Sequence, residues 1–497
     1  MLMGRLHLVL PCFSLGYLFG YITLFWTSPY FANQHELEFS SKDVDSSRNV
    51  QLERIGGEKR SAPFTGEDID SYLLILSYHE QMNNAVMKLL GLSPVAMNLN
   101  LKIVEPFVVH SRLYGLPGFL PKSEATAPFY PLGVLFNISS INEALYNYAK
   151  ASMVSFKNFI FYAPRDVTVV HFVHKEFPKL HSFHLAHCHS HILELVQNSA
   201  TPIVDCTNEI LVDEQLHSGL QNALLNITTK YSVPSFRIAR FLCVAGERDI
   251  MTDELNMALG PGRKTVVLSM WRGCAYKHCN VDMRHEYTQR NRPQLLYTLE
   301  GERLNLRNAT IVPSELVLES SEYYLNYIQY GKSYLSIHVR VEKLLKRNGI
   351  VQVDPDYLEC CLSVLRKTVN NLRKKFKLSD VLLITDVGKY GTDSCQFEEC
   401  RNASEKFVNR LETLINAKTL EYDPKITPMK ISNPGFVALV EMYMLIGARR
   451  LITVGSGLYS QKLTTLFENK RHSPKASQFV HIMIANYVNW LTSELTC

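Results

Sequence analysis

Three strand-like stretches in the second half of the chain end in residues that suit a phosphate ligand. YLSIHVRV (334–341) carries His338 and Arg340, and DVLLITDV (380–387) carries Thr385 and Asp386. RLITV is followed by Gly455-Ser456-Gly457 and then by a helical pattern. An arginine fork chelates phosphate oxygens, glycines let the backbone approach them, and a helix N-terminus offers free N–H groups. The pattern predicts a nucleotide site, in which Asp386 accepts from a ribose hydroxyl or a base N–H. A structural ion pair for Arg340 and a purely structural glycine turn are the open alternatives.

Alternating strands and helices would bring these strand ends together. A helical pattern follows each of the three strands in turn, over 357–376, 436–448 and 458–467. Such alternation is typical of parallel sheets with helical faces, and their ligands bind beyond the carboxyl ends of the strands.

The first half of the chain shows the same alternation of predicted strands and helices. A strand over 71–78, a helix over 81–99 interrupted by Pro94, and a strand over 101–109 form a βαβ unit, and further strands are predicted over 167–173, 235–244 and 264–270. Two such halves predict an α/β protein of two Rossmann-like domains that face a cleft. We assign residues 69–290 to the N-terminal domain and 291–497 to the C-terminal domain. Glu80, at the end of the first strand, is a candidate general base, and a solvated loop acid is the alternative.

The N-terminus predicts a membrane anchor. Residues 6–26 (LHLVLPCFSLGYLFGYITLFW) contain no Asp, Glu, Lys or Arg, and as a helix they would span about 30 Å. A cleaved signal peptide is the alternative. Arg5 precedes the segment and the first acidic residues follow it, which favours a cytosolic tail over 1–5 and a lumenal bulk. The polar stretch over 27–68 is predicted to be a flexible stem. We therefore expect a single-pass type II protein of the Golgi or endoplasmic reticulum membrane.

Sequons and cysteines fit that compartment. Four N-x-S/T sequons are candidate glycosylation sites: Asn137, Asn226, Asn308 and Asn402. Eleven cysteines are present, of which Cys12 lies in the predicted anchor. The others could pair in an oxidising lumen, and Cys274/Cys279 and Cys395/Cys400 could each close a short loop, with zinc binding as the alternative.

Composition and spacing argue against two other classes of ligand. The formal net charge is +5, with scattered basic residues, so nucleic acid is not an expected partner. Seven histidines lie between His171 and His191, and His184, His187 and His191 could share one helical face. Zincin spacing is absent and we expect no metal. A metal site and a pH-sensitive surface remain the alternatives to a histidine-rich helix surface.

Several motifs resemble the GDP-fucose-dependent O-fucosyltransferase superfamily. IHVRVEK (337–343) is similar to its His-x-Arg motif, ITD (384–386) to a later strand ending in Thr-Asp, and VALVEMYMLIGARRLITVGSGLYSQKL (437–463) to its C-terminal helix, strand and turn. SYHEQMNNAVMKLL (77–90) resembles its first strand and loop. The resemblance is patchy over about residues 70–485. The family's phosphate-binding Ser-Ser-Phe corresponds best to Gly457-Leu458-Tyr459, so both hydroxyls are replaced, with Ser456 beside them.

The resemblance implies a GT-B fold, with GDP-fucose held mainly by the C-terminal domain, and inverting transfer without an essential metal or other cofactor. Arg340 would hold the β-phosphate and stabilise the departing GDP. His338 would contact the nucleotide, Asp386 would lie near the guanosine, and Asn83 or Asn84 would reach the sugar or the acceptor. The expected partners are thus a GDP-sugar and a protein or glycan acceptor. A catalytically inactive binding protein and a transferase for another nucleotide sugar are the alternatives.

Overall fold

A computed structural model describes residues 70–78, 82–117, 127–173, 189–211, 214–245, 252–269, 311–328, 333–341, 346–347, 350–351, 355–387, 398–455, 458–469 and 479–482. All of them belong to one compact unit, residues 66–497. The predicted tail, transmembrane segment and stem all lie outside the described residues. Within those residues, no helix is both long enough and apolar enough to cross a membrane.

The described secondary structure is a mixture of short strands and helices. The strands are β1 Tyr72–Ile75, β2 Lys102–Val104, β3 Phe107–Val109, β4 Arg112–Tyr114, β5 Phe129–Pro131, β6 Met153–Val154, β7 Asp166–Val173, β8 Ile203–Asp205, β9 Arg237–Ala245, β10 Thr265–Leu268, β11 Tyr334–Val339, β12 Lys346–Arg347, β13 Ile350–Val351, β14 Asp380–Thr385, β15 Lys418–Thr419, β16 Arg450–Val454 and β17 Phe479–Ile482. The helices are α1 Met82–Gly91, α2 Ser93–Asn98, α3 Ile138–Ala149, α4 Phe156–Tyr162, α5 His189–Asn198, α6 Thr207–Leu211, α7 Glu214–Lys230, α8 Thr252–Leu259, α9 Glu315–Tyr327, α10 Pro355–Phe376, α11 Glu398–Ile415, α12 Pro434–Gly447 and α13 Leu458–Asn469.

Two large sheets organise the unit. The first has seven strands in the order β6-β2-β1-β10-β7-β9-β8, and its neighbours are parallel except for β8 and β9. The second has five strands in the order β15-β14-β11-β16-β17, all parallel. In chain order this second sheet runs 3-2-1-4-5, the doubly wound arrangement whose ligands bind where the strand order reverses. The sequence-based prediction of two parallel sheets is therefore confirmed, with β11 at the centre of the second.

Alternating strand residues divide the interior into three hydrophobic clusters. Along β11, Leu335, Ile337 and Val339 face a cluster that includes residues of α10 and α11. Tyr334, on the other face, joins a larger cluster that includes residues of both sheets and of α1, α9, α12 and α13. A third cluster covers the opposite face of the first sheet, with residues of α4 and α7. Because one cluster spans both halves, the two sheets share a hydrophobic core.

The first half departs from its prediction at Pro106 and follows it at Pro94. The stretch 101–109 is not one strand: β2 ends at Val104 and β3 starts a separate antiparallel sheet at Phe107. Pro106 between them has no N–H to donate to a ladder, and its carbonyl accepts instead from Leu132 N–H at 3.1 Å. The interruption predicted at Pro94 is present: α1 ends at Gly91 and α2 begins at Ser93, with Pro94 in the first turn of α2, where a missing N–H costs least.

Candidate functional site

Strand β11 places His338 at the carboxyl edge of the second sheet. It pairs with β14 on one side and β16 on the other, so Ile384 and Thr453 lie opposite His338. The same face of the strand carries Ser336, whose hydroxyl donates to the carbonyl of Leu445 in α12 at 2.8 Å. Period-2 alternation then directs His338 toward the layer of α12 and α13.

Arg340 follows directly after this strand. Its backbone N–H donates to the carbonyl of Val454 at 2.9 Å, which extends the ladder with β16 by one residue. The side chain is 26% exposed and its Nε lies 3.9 Å from Oδ2 of Asp386. The guanidinium is thus held at the sheet edge by a long ion pair while part of its surface faces solvent.

Asp386 is fixed by the end of the neighbouring strand. Its Oδ1 accepts from the backbone N–H of Val341 at 2.7 Å, and its own N–H donates to the carbonyl of Val339 at 3.4 Å. The carboxylate therefore ties β14 to β11 and orients Arg340. Thr385 is buried, and its hydroxyl lies 3.4 Å from both the N–H and the carbonyl of Val387. The structure brings together Arg340 and Asp386, as the strand-end argument expected.

The turn after β16 packs against Arg340. Gly455 has a φ of +91°, and a Cβ added there would lie 2.9 Å from the Cβ of Arg340. Ser456 and Gly457 lie outside the described residues, and α13 begins at Leu458. Helix α13 has twelve residues, so its first turn presents backbone N–H groups at this edge. Ser460 in that turn is fully buried, and its hydroxyl has no hydrogen-bond partner in the part of the chain that the structure describes.

His338 is buried and electrically neutral. It is 4% exposed, and burial together with the nearby charge of Arg340 lowers its pKa to about 3. Its ring centroid lies 4.8 Å from that of Tyr459, with the planes tilted by 38°. Nδ1 of His338 has no hydrogen-bond partner among the described residues. Since buried polar atoms are usually paired, both Nδ1 and the Ser460 hydroxyl are suited to a ligand at this edge.

The side chain of Tyr459 is directed into the core. Its hydroxyl donates to the carbonyl of Ala438 in α12 at 3.2 Å. Burial and, to a lesser extent, the Glu441 carboxyl hold the pKa of this phenol well above its usual value. Sequence reasoning proposed Tyr459 as a ligand contact and did not foresee its packing on His338, since the two residues are far apart in the chain.

The other sequence-predicted residues are less well placed. Glu80 lies outside the described residues, and Asn83 and Asn84 lie in the first turn of α1, where the structure describes only their backbone. Asn137, Asn226 and Asn402 are exposed, while Asn308 is outside the described residues. His171 is buried on β7, His191 lies in α5, and His184 and His187 are not described. No cluster of three or more potential metal ligands occurs among the described residues.

Two buried carboxyl groups escaped the sequence analysis. Glu105 follows β2 at the carboxyl edge of the first sheet and accepts from Gly133 N–H at 3.0 Å; burial raises its pKa to about 7, although that hydrogen bond opposes the shift. Glu441 in α12 accepts from Tyr422 N–H at 3.1 Å, and burial raises its pKa to about 8. A charged residue within an apolar pattern was the signal available for Glu441.

The disulfide pairing also differs from the sequence expectation in part. Cys206 and Cys243 form a disulfide that joins the start of α6 to β9, a pair that spacing did not suggest. Cys400 is disulfide-bonded as well, and Cys274, Cys279 and Cys395 lie outside the described residues. Cys360 in α10 is a free thiol.

Comparison with known proteins finds similarity in structure only. No model of a protein family matches the chain, and no curated protein matches its sequence. A crystal structure of POFUT1 in complex with GDP-fucose matches with a TM-score of 0.43 and 9% identity, covering 84% of this chain and 98% of that one. A structure of POFUT1 in complex with GDP matches with a TM-score of 0.41 and 10% identity, covering 83% of this chain and 98% of that one. The function is therefore argued from the site's own geometry.

Proposed function

We propose that the protein is a glycosyltransferase of GT-B type that transfers fucose from GDP-fucose to a hydroxyl of a protein or glycan. The observation that carries the proposal is the convergence at one sheet edge of a cation, a positive-φ glycine turn and the start of a helix. Arg340, Gly455 and the first turn of α13 supply these three features. Together they suit the diphosphate of a nucleotide sugar.

The choice of donor is supported by the motif residues. IHVRVEK (337–343) and ITD (384–386) are similar to motifs of O-fucosyltransferases, and their described parts, residues 337–341 and 384–386, fall at this edge of the second sheet. The neutral imidazole of His338 adds a hydrogen-bonding group that stays uncharged throughout the physiological pH range. GDP-fucose is accordingly the first donor to test.

The proposed reaction is a single displacement. The acceptor oxygen forms a bond to the anomeric carbon of fucose while the bond from that carbon to the β-phosphate oxygen breaks, which inverts the configuration. Arg340 stabilises the negative charge that develops on the departing GDP. The acceptor proton passes to a general base, for which Glu80 stays the candidate from sequence. No metal is required in this scheme.

The compartment is proposed to be the lumen of the secretory pathway. The disulfide between Cys206 and Cys243 supports an oxidising environment, since cytosolic thiols are kept reduced. Exposed sequon asparagines at three of the four positions are compatible with it. Residues 6–26 would then anchor the chain as a type II membrane protein.

Calorimetry on the purified full-length chain tests the donor site. We expect binding of GDP and GDP-fucose that is lost in Arg340→Ala, because the phosphate charge would have no counter-charge at the edge. Arg449→Ala is the matched control, since Arg449 is exposed, directly precedes β16 and bonds to Ser333 and to the carbonyl of Phe376, the last residue of α10. Arg340→Ala must also unfold at the same denaturant concentration as the control. Failure of the unmodified chain to bind any GDP-sugar would refute the proposal.

A binding protein without transferase activity is the second candidate. The observation that favours it is the position of Leu458 and Tyr459, which fall inside α13 where the resembled family has a serine and a phenylalanine. GDP-fucose hydrolysis and transfer assays separate the two candidates. Binding with no turnover on any acceptor would favour the binding protein.

A further inference from the structure

Tyr459 is the side chain in α13 that packs on the imidazole of His338. It is one residue into the helix that follows the glycine turn, and its ring lies 4.8 Å from the His338 ring. The phenol hydroxyl donates to the carbonyl of Ala438 in α12. The tyrosine therefore packs behind His338, and its aromatic ring is the part that contacts the imidazole.

The Tyr459 side chain is anchored at both ends and is electrically neutral. The side chain is held at one end by the α13 backbone and at the other by the hydrogen bond to α12. Its raised pKa keeps the phenol protonated at physiological pH. A small shift of α13 at the glycine turn would therefore move the tyrosine ring against which His338 packs.

His338 is held firmly, yet one of its polar atoms is unsatisfied. The backbone on either side is locked by β14 and β16, and Tyr459 covers the ring. Nδ1 nevertheless has no hydrogen-bond partner among the described residues. A buried polar atom that is fixed in place and left unpaired is the arrangement expected when a ligand supplies the missing hydrogen bond.

We propose that Tyr459 is a positioning residue, which holds His338 so that its Nδ1 meets an oxygen or N–H group of the bound nucleotide sugar. The proposal rests on the proposed function for the identity of the ligand. It assigns Tyr459 a role through His338 and not a direct contact with the donor. It also couples the helix that would hold the phosphate to the strand that carries Arg340.

The charged and titratable neighbours define what a change at Tyr459 would do to His338. Arg340 comes from the same strand, Asp386 from the end of β14, Tyr459 from α13, and Glu441 from α12 behind the tyrosine. The side chain opposite on β16, Thr453, does not titrate. Removing the tyrosine ring admits water to the imidazole, so its pKa should rise toward the usual value.

The first measurement needs no ligand. Proton exchange at His338 is followed by NMR on full-length protein with ¹³Cε1-labelled histidine, and the His338→Gln spectrum identifies the signal among the seventeen histidines. We expect no titration of His338 between pH 5 and 8 in the unmodified protein or in Tyr459→Phe. Tyr459→Leu should show titration in this range. Should the leucine variant unfold, Tyr459→Met keeps most of the volume without a ring and is expected to titrate in the same way.

The second measurement is GDP affinity at pH 7. We expect a loss of about tenfold or more in Tyr459→Leu and a change of less than about threefold in Tyr459→Phe. The control for loss of core packing is Tyr443→Leu, which removes a different, largely buried tyrosine that lies in α12.

The outcomes separate the two proposals. Unchanged His338 titration and unchanged GDP affinity in Tyr459→Leu would overturn the positioning role. Equal loss of affinity in Tyr459→Phe would also overturn it, because the hydroxyl and not the ring would then be the decisive group. Absence of GDP binding in the unmodified protein would overturn the proposed function, while the titration would still decide whether Tyr459 holds His338.

Discussion

Gly455 offers a direct test of how tightly the glycine turn fits against Arg340. With φ at +91°, an alanine there would adopt a left-handed backbone, and its Cβ would lie 2.9 Å from the Cβ of Arg340 and 3.4 Å from its carbonyl oxygen. Non-bonded carbons prefer about 3.5 to 4.0 Å, so one of the two segments must move. Gly455→Ala should therefore perturb both the stability of the protein and the position of Arg340.

The magnitude follows from two separable terms. The left-handed backbone costs about 1–2 kcal/mol for a residue with a Cβ, partly offset by about 0.4–1 kcal/mol from the less flexible unfolded chain. The steric contact adds about 1–3 kcal/mol, the usual range for overpacking. Gly262 has a φ of +98° with no atom within 4 Å of an added Cβ, so Gly262→Ala measures the backbone term alone. We expect Gly455→Ala to exceed it by about 1–3 kcal/mol.

Urea unfolding followed by circular dichroism gives the free energies of unfolding, and calorimetry gives the GDP affinity. Displacement of Arg340 should weaken GDP binding about 10- to 100-fold in Gly455→Ala, since small misplacements of a binding group are costly. Gly262→Ala should bind like the unmodified protein. If the two alanine variants unfold within about 0.5 kcal/mol of each other and bind GDP equally well, the turn is not packed against Arg340 as described.

Two further predictions concern carboxyl groups. Asp386→Ala should lower the free energy of unfolding by about 1–3 kcal/mol, because Val341 N–H loses its acceptor. Asp386→Asn keeps an acceptor, so urea unfolding should show a smaller loss of stability. Equal losses in the two variants would contradict the role of Asp386 as this acceptor. Glu105 has a pKa raised from 4.5 to about 7 by burial, so the folded state binds the proton more tightly than the unfolded state. Its contribution to stability is present below pH 4.5 and decreases as the pH rises to about 7. Glu105→Gln keeps an acceptor for Gly133 N–H but has no carboxyl proton to bind. Urea unfolding at pH 4.5 and pH 7 should therefore show that this part of the pH dependence of stability is lost. An unchanged pH dependence of stability would contradict the assignment.

Periodicity and residue type predicted much of the second half. The strands at YLSIHVRV, DVLLITDV and RLITV became β11, β14 and β16, and the amphipathic pattern over 357–376 became most of α10. These segments have strong local signals, since each strand is an apolar run bounded by charge or glycine. The signals were weaker for α9, whose ELVLESSEYYLNY mixes polar and apolar residues; the helix is started by Ser314, whose hydroxyl accepts from Val317 N–H.

The sequence by itself determined which residue types stand at the strand ends, and therefore that a cation, a carboxylate and a glycine turn would be available. Only the tertiary structure decided how they meet. The order of strands in the second sheet puts β14 and β16 on either side of β11, so Asp386 and Gly455 both reach Arg340. The same arrangement seats Tyr459 on His338, across more than a hundred residues of chain. Such contacts depend on register and helix packing between distant segments, which local patterns do not encode.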